Sequence, residues 1–143
     1  MIYDPTKPSL YNNWGFNYRG SRYEHHISQS DVRKVARKIL TYFGFADLAE
    51  PKQLEFRFTC RHPERGWCAV NASPKRIITL HPAPMLGIVI HEVCHIVAFV
   101  NARTGKEARS WHGERFKSYL FRAFRLYGIV RQNDEGQGSI NQG

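Results

Sequence analysis

The chain begins to show regular spacing of apolar residues between Ser28 and Gly44, where they recur at helical intervals with charged residues between them. This spacing predicts an amphipathic helix that begins near Asp31, with Ser28 or Ser30 as its cap, and ends at Gly44. The apolar stripe of this helix consists of Val32, Val35, Ala36, Ile39, Leu40 and Phe43.

A period of two follows and predicts strands. Apolar and polar residues alternate over 54–59, and two further short apolar runs, 67–71 and 76–81, are separated by turn-rich segments. Three short strands joined by turns indicate a small antiparallel sheet, which ends at Pro82 and Pro84.

Two more helices complete the predicted elements. Residues 85–101 are apolar on nearly every side, which indicates a central helix that is buried all round. A polar loop separates it from a last amphipathic helix, which begins near Trp111 or His112 and ends at Gly128. Helices that flank a small sheet are typical of an α+β fold.

The composition is that of a globular protein with a strongly basic surface. Hydrophobic residues make up 42% of the chain and the formal net charge is +9. Such a charge favours polyanionic partners without specifying one. Three cysteines do not form a disulfide framework, and the N-terminus has no apolar signal-peptide core. We therefore expect an intracellular monomer, cytoplasmic or located at the nucleoid or nucleus, with no membrane association.

The segment VIHEVCHIVAF, at 89–99, places two histidines and a glutamate in the most apolar part of the chain. His91 and His95 are four residues apart, so a helix presents both imidazoles on one face, where they can bind one zinc ion. Glu92 lies beside them and can accept a proton from a zinc-activated water. The alternative is a pair of hydrogen-bonded core histidines, which leaves the neighbouring buried glutamate unexplained.

A catalytic zinc site needs a third protein ligand, and the sequence offers three candidates. His112 lies 17 residues beyond His95, at the predicted start of the last helix and just before Gly113. These features make His112 the preferred ligand, with Glu107 and Glu114 as rivals.

Together, the two motifs resemble those of the SprT-like metallopeptidase family, which includes the Spartan proteases. HEVCHIVAFVN, a polar loop and HGERF are similar to that family's HExxH helix and the third histidine of its HGxxF motif. The resemblance implies a zincin-like minimal metallopeptidase core, in which the sheet packs on the HExxH helix and flanking helices. It implies that His91, His95 and His112 bind one Zn²⁺ ion and that Glu92 is the catalytic base.

The resemblance also implies a zinc-dependent endopeptidase that acts on a protein or peptide substrate and, as in Spartan, on proteins associated with DNA. We expect an irregular aromatic arm over 1–27, a SprT-like catalytic domain over 28–130 and a polar tail over 131–143. Because the tail lacks cysteines for a zinc ribbon, we expect a minimal, stand-alone catalytic domain. An extended peptide can dock along a sheet edge in such enzymes, and we assign that edge to strand 76–81.

A basic face on the first helix is the candidate DNA contact, since Lys and Arg bind phosphates. Its alternative is an ordinary solvated helix face. The face consists of Arg33, Lys34, Arg37 and Lys38, and the loop residues Arg103, Lys106 and Arg109 would extend it.

Two alternatives concern further metal chemistry. Cys60, His62 and Cys68 could hold a second, structural metal ion, but no fourth ligand is evident, which favours reduced thiols. The second hypothesis for the whole chain is a basic nucleic-acid-binding or interaction protein whose zinc is structural and which has no proteolytic activity.

Overall fold

The computed structural model describes Tyr11 and residues 14–60, 70–73, 75–101 and 112–130. Within these ranges the elements are, in chain order, α1 (Gln29–Tyr42), β1 (Glu55–Phe58), β2 (Asn71–Ala72), β3 (Ile77–Leu80), α2 (Leu86–Val100) and α3 (Glu114–Leu126). Short 3₁₀ helices lie at Arg22–Glu24 and Ala46–Ala49. The predicted α+β class is confirmed.

Helix α1 follows the predicted apolar stripe. The side chain of Ser28 caps it by accepting a hydrogen bond from the amide of Asp31. Its apolar residues from Val32 to Leu40 are buried against the rest of the core. Gly44, with φ of 88°, takes the left-handed conformation that ends the helix with little steric cost.

The sheet differs from the prediction in strand direction. Its order is β1-β3-β2: β1 runs parallel to β3, with Glu55 opposite Ile77 and Phe58 opposite Leu80, and only β2 is antiparallel to β3. The prediction of an antiparallel sheet is therefore wrong for the β1–β3 pair. Alternation of apolar residues determines which face a side chain occupies, but it carries no information on the direction of a neighbouring strand.

The predicted position of the sheet edge is also wrong. Strand β3 has β1 on one side and β2 on the other, so it is the central strand of the described sheet. A turn between β2 and β3 makes these two strands neighbours, and in it the amide of Arg76 donates to the carbonyl of Ser73. Arg76 has φ of 64°, a left-handed conformation that is uncommon for a residue with a side chain.

Helix α2 is the centre of the fold. All of its residues from Leu86 to Val97 are buried, and it contacts α1, α3, β2 and β3. The N-terminal arm joins it at its start, because the amide of Leu86 donates to the carbonyl of His25 and the amide of Ile27 donates to that of Pro84. This arrangement explains why the helix is apolar on nearly every side.

The described aromatic residues of the N-terminal arm belong to the core or pack against it. Tyr11, Tyr18 and Tyr23 are buried, and their rings contact one another. Phe16 packs against Phe124 of α3 at 5.4 Å between ring centroids. In the described part of the chain, no helix is both long enough and apolar enough to cross a membrane.

Candidate metal centre

The three histidines selected from the sequence meet in one place. Helix α2 carries His91 and His95 on the same face, with their Nε2 atoms 3.2 Å apart. His112 approaches from the residues just before α3, and its Nε2 lies 3.3 Å from that of His91. The candidate ligand atoms of all three lie within 4.8 Å of one another.

These separations suit a shared metal ion. Two nitrogens bound to one tetrahedral zinc at about 2.0–2.1 Å each are roughly 3.3–3.4 Å apart. The two Nε2 separations of 3.2 and 3.3 Å match that spacing. The three imidazoles are therefore compatible with one metal ion.

The rival third ligands do not join this group. Glu114 is exposed in the first turn of α3 and is not a member of the cluster of His91, His95 and His112. Glu107 lies outside the described residues. Among the candidates that can be compared, His112 has the position that a third ligand requires.

Burial keeps the three imidazoles neutral. Burial, and then the proximity of His95 and His112, lower the pKa of His91 well below its usual 6.5. Burial, followed by the proximity of His112, lowers the pKa of His95 to about 2, and burial lowers that of His112 as well. A neutral imidazole keeps the lone pair that a metal ion needs, so the apolar surroundings prepare the site for a cation.

Glu92 carries a buried carboxylate beside the histidines. It is 0% exposed, and neither carboxylate oxygen has a hydrogen-bond partner among the described residues. Burial raises the pKa of Glu92 to about 8. Its Oε2 lies 4.0 Å from Nε2 of His91, on the side where the imidazoles converge. An unpaired carboxyl group is costly to bury, and a cation nearby would offset that cost.

One aromatic ring borders all three histidines. Phe116 lies 4.1 Å from His95 between ring centroids, 5.0 Å from His91 and 5.2 Å from His112. It belongs to the HGERF motif, in the first turn of α3, and is 1% exposed. The start of α3 therefore positions His112 and supplies an apolar side chain that borders the site.

A tyrosine that sequence reasoning did not select completes the surroundings of His91. The hydroxyl of Tyr11 is hydrogen-bonded to Nδ1 of His91 at 2.7 Å, and the hydroxyl of Tyr23 donates to that of Tyr11 at 3.3 Å. Tyr11 lies 80 positions before His91. No local spacing connects such distant residues.

The basic side chains of α1 have partners within the chain. The guanidinium of Arg33 donates to the carbonyls of Ala49 and Leu54 at 2.7 and 2.9 Å and lies over the ring of Phe56. The other three basic residues also have partners. Lys34 forms a salt bridge with Asp31, Arg37 forms one with Glu50, and the ammonium group of Lys38 lies over the ring of Tyr127. Arg33 is thus engaged in the fold, while DNA contact by this face stays a prediction.

The second metal site is not supported at Cys60, which is disulfide-bonded. This corrects the expectation of reduced thiols, because an oxidised sulfur is not available as a thiolate ligand. Cys94 is a buried free cysteine, and burial raises the pKa of its thiol. The other residues of both secondary predictions, His62, Cys68, Arg103, Lys106 and Arg109, lie outside the described residues.

Comparison with known proteins gives one finding. The model of the SprT-like family matches residues 9–130, which is most of the chain. The matched segment includes Tyr11, the three histidines and Glu92. No curated protein and no solved structure gives a significant match.

Proposed function

The chain belongs to the SprT-like family, and from that membership we propose that it is a zinc-dependent endopeptidase. The observation that carries the proposal is the convergence of His91, His95 and His112 at tetrahedral spacing, with the unpaired carboxyl group of Glu92 beside them. Three neutral imidazoles suit zinc, and a three-ligand site keeps a coordination position open for water and substrate.

The histidines would hold the ion through Nε2. When bound, zinc supplies a Lewis acid that polarises the peptide carbonyl and lowers the pKa of water. Helix α2 fixes the relative positions of His91 and His95, and the start of α3 adds His112. The buried walls around them exclude bulk water and strengthen electrostatic interactions within the site.

Glu92 is the proposed general base. One of its carboxylate oxygens would accept the proton of the attacking water and pass it to the leaving amine. Its position next to His91 in α2 brings the carboxyl group within reach of the point where the imidazoles converge. Its oxygens have no hydrogen-bond partner among the described residues, and a cation bound beside them would lower the pKa of Glu92 and favour the carboxylate that a base requires.

The alternative is a binding protein in which zinc has a structural role. A structural site would be closed by a fourth protein ligand, such as a cysteine or a carboxylate. In the described ranges, the only group of potential ligands found together is His91, His95 and His112. A three-histidine set favours catalysis over structure.

Proteins associated with DNA are the proposed substrate class. The net charge of +9 supports attraction to DNA, and Lys34 presents a side chain that is 82% exposed. If DNA is bound through phosphates, its affinity falls steeply as salt rises, and DNA would stimulate cleavage of a DNA-binding protein. Salt-independent affinity would contradict this part of the proposal.

Glu92→Gln tests the enzyme assignment. The variant keeps the shape of the side chain but removes the base, so zinc content should persist while cleavage of an unstructured protein falls about 10²-fold or more. Glu114→Gln is the matched control at an exposed site and should cleave like the parent. Retention of parental cleavage by Glu92→Gln would end the assignment of Glu92.

A further inference from the structure

We infer that Tyr11 is a positioning residue for the metal centre. It holds the imidazole of His91 so that Nε2 is directed at the ion. The inference rests on the proposed metal site. Both residues are 0% exposed, and their contact joins the hydroxyl of Tyr11 to Nδ1 of His91 at 2.7 Å. The opposite nitrogen, Nε2, is the one that faces His95 and His112.

The chemistry of imidazole explains what the tyrosine does. When Nε2 gives its lone pair to a metal ion, Nδ1 carries the ring proton and needs an acceptor. In a buried site without such an acceptor, the N–H would be left unpaired, which destabilises the metal-bound form. The hydroxyl oxygen of Tyr11 is in position to accept it, and its second lone pair receives the hydroxyl of Tyr23.

The position of the Tyr11 hydroxyl is determined by its ring. Five aromatic rings of the described residues contact it in tilted or edge-on geometry. They are Phe16 at 5.5 Å between centroids, Tyr18 and Tyr23 at 5.7 Å, Trp14 at 6.1 Å and Phe124 at 6.3 Å. Because α3 and the arm both supply these rings, Tyr11 has little freedom to turn away from His91.

Gly87 brings the second tyrosine into the network. It lies one helical turn before His91 in α2, and a side chain there would overlap the ring of Tyr23. The absence of a side chain lets Tyr23 lie directly on the helix, from where its hydroxyl reaches Tyr11. Thus the N-terminal arm supports the metal centre as well as packing in the core.

Tyr11→Phe tests the inference, since it keeps the ring and removes the hydroxyl. The dissociation constant for Zn²⁺, measured by competition with a chromophoric chelator, should rise about 10–100-fold. Tyr18→Phe is the matched control, because it removes a hydroxyl from the same ring cluster, and its zinc affinity should stay within about twofold of the parent. A zinc affinity of Tyr11→Phe equal to that of Tyr18→Phe would overturn the inference.

A second measurement needs no variant. In the zinc-loaded parent, the Nδ1–H of His91 should give a slowly exchanging proton resonance with a through-space correlation to the ring of Tyr11. A rapidly exchanging proton without that correlation would overturn the inference. Both readouts report metal binding rather than cleavage. A protein that depends on Tyr11 for zinc but cleaves nothing would refute the proposed protease and not this inference.

Discussion

The ring of Phe116 lies nearly parallel to the imidazole of His95, with 4.1 Å between the centroids and 16° between the planes. Phe99 also lies near His95, with 6.2 Å between the centroids and 22° between the planes. His95 therefore has two aromatic neighbours, one from its own helix and one from α3. These contacts restrict rotation of the imidazole, whose Nε2 lies near that of His91.

Phe116→Leu should weaken zinc binding, because leucine keeps the apolar volume but cannot stack on His95. We expect an increase of about tenfold in the zinc dissociation constant, comparable to the loss of an outer-shell contact. The metal-free variant should also lose about 1–2 kcal/mol in its free energy of unfolding. Zinc titration and urea denaturation measure the two effects separately.

Phe121→Leu is the matched control for Phe116→Leu. Phe121 is also buried in α3, but its ring contacts Trp14, Phe16 and Phe124. It should show a similar loss of stability with an unchanged zinc dissociation constant. If the two substitutions weakened zinc binding equally, Phe116 would have no special role at the site.

Gly87→Ala should destabilise the protein, although alanine normally favours helices by about 1 kcal/mol over glycine. The new methyl group would overlap the ring of Tyr23, and overpacking of a core costs about 1–3 kcal/mol. The clash should therefore outweigh the helix propensity in urea denaturation. In a Tyr23→Leu background, where the ring is gone, the same substitution should cost much less; an undiminished cost there would rule out the clash.

The stability of the metal-free protein should fall on acidification. Below the usual pKa of 6.5, the unfolded chain binds protons at His91, His95 and His112 that the folded chain excludes, because burial lowers their pKa values. Their stabilising contribution is present above pH 6.5 and is lost as the pH falls below it. Because the pKa of His95 in the folded chain is about 2, its stabilising contribution continues to decrease with falling pH across the whole acidic range.

The contribution of Glu92 to folding stability has the opposite dependence on pH. Its pKa rises from 4.5 to about 8 on folding, so its contribution is present at low pH and lost as the pH rises through 8. Between pH 4.5 and 6.5 the protons that the buried His91 and His95 exclude outnumber the one proton that Glu92 binds. The free energy of unfolding should therefore fall on acidification. Urea denaturation in the presence of a chelator measures this slope, and a flat profile would contradict the neutral, buried histidines.

Arg33→Ala should lower stability, because it removes the guanidinium that bonds two backbone carbonyls between α1 and β1. We expect a loss of about 1–3 kcal/mol in the free energy of unfolding. Lys34→Ala, at an exposed position in the same helix, should change stability by no more than about 0.5 kcal/mol. Equal stability of the two variants would show that the Arg33 contacts contribute nothing to the fold.

Sequence reasoning predicted the helices and the pairing of His91 with His95 because both depend on local spacing. The stripe from Val32 to Leu40 and the four-residue interval between His91 and His95 are visible within one or two helical turns. His112 could be selected because the chemistry of a zinc site demands a third ligand, and few candidates follow the helix. The helical features are confirmed because residues three or four positions apart in a helix lie on the same face.

The features that sequence reasoning missed depend on contacts between distant segments. The parallel pairing of β1 with β3 is decided by chain connection and not by the alternation within either strand. Tyr11 contacts His91 because the N-terminal arm packs against α2, and no periodic pattern in the sequence predicts that contact.

The most direct test of the account is anomalous diffraction at the zinc absorption edge from crystals grown with zinc. We predict a single peak at about 2.0–2.1 Å from Nε2 of His91, His95 and His112, with no fourth protein ligand. A peak bound elsewhere, or an imidazole of His112 turned away from the other two, would contradict the account.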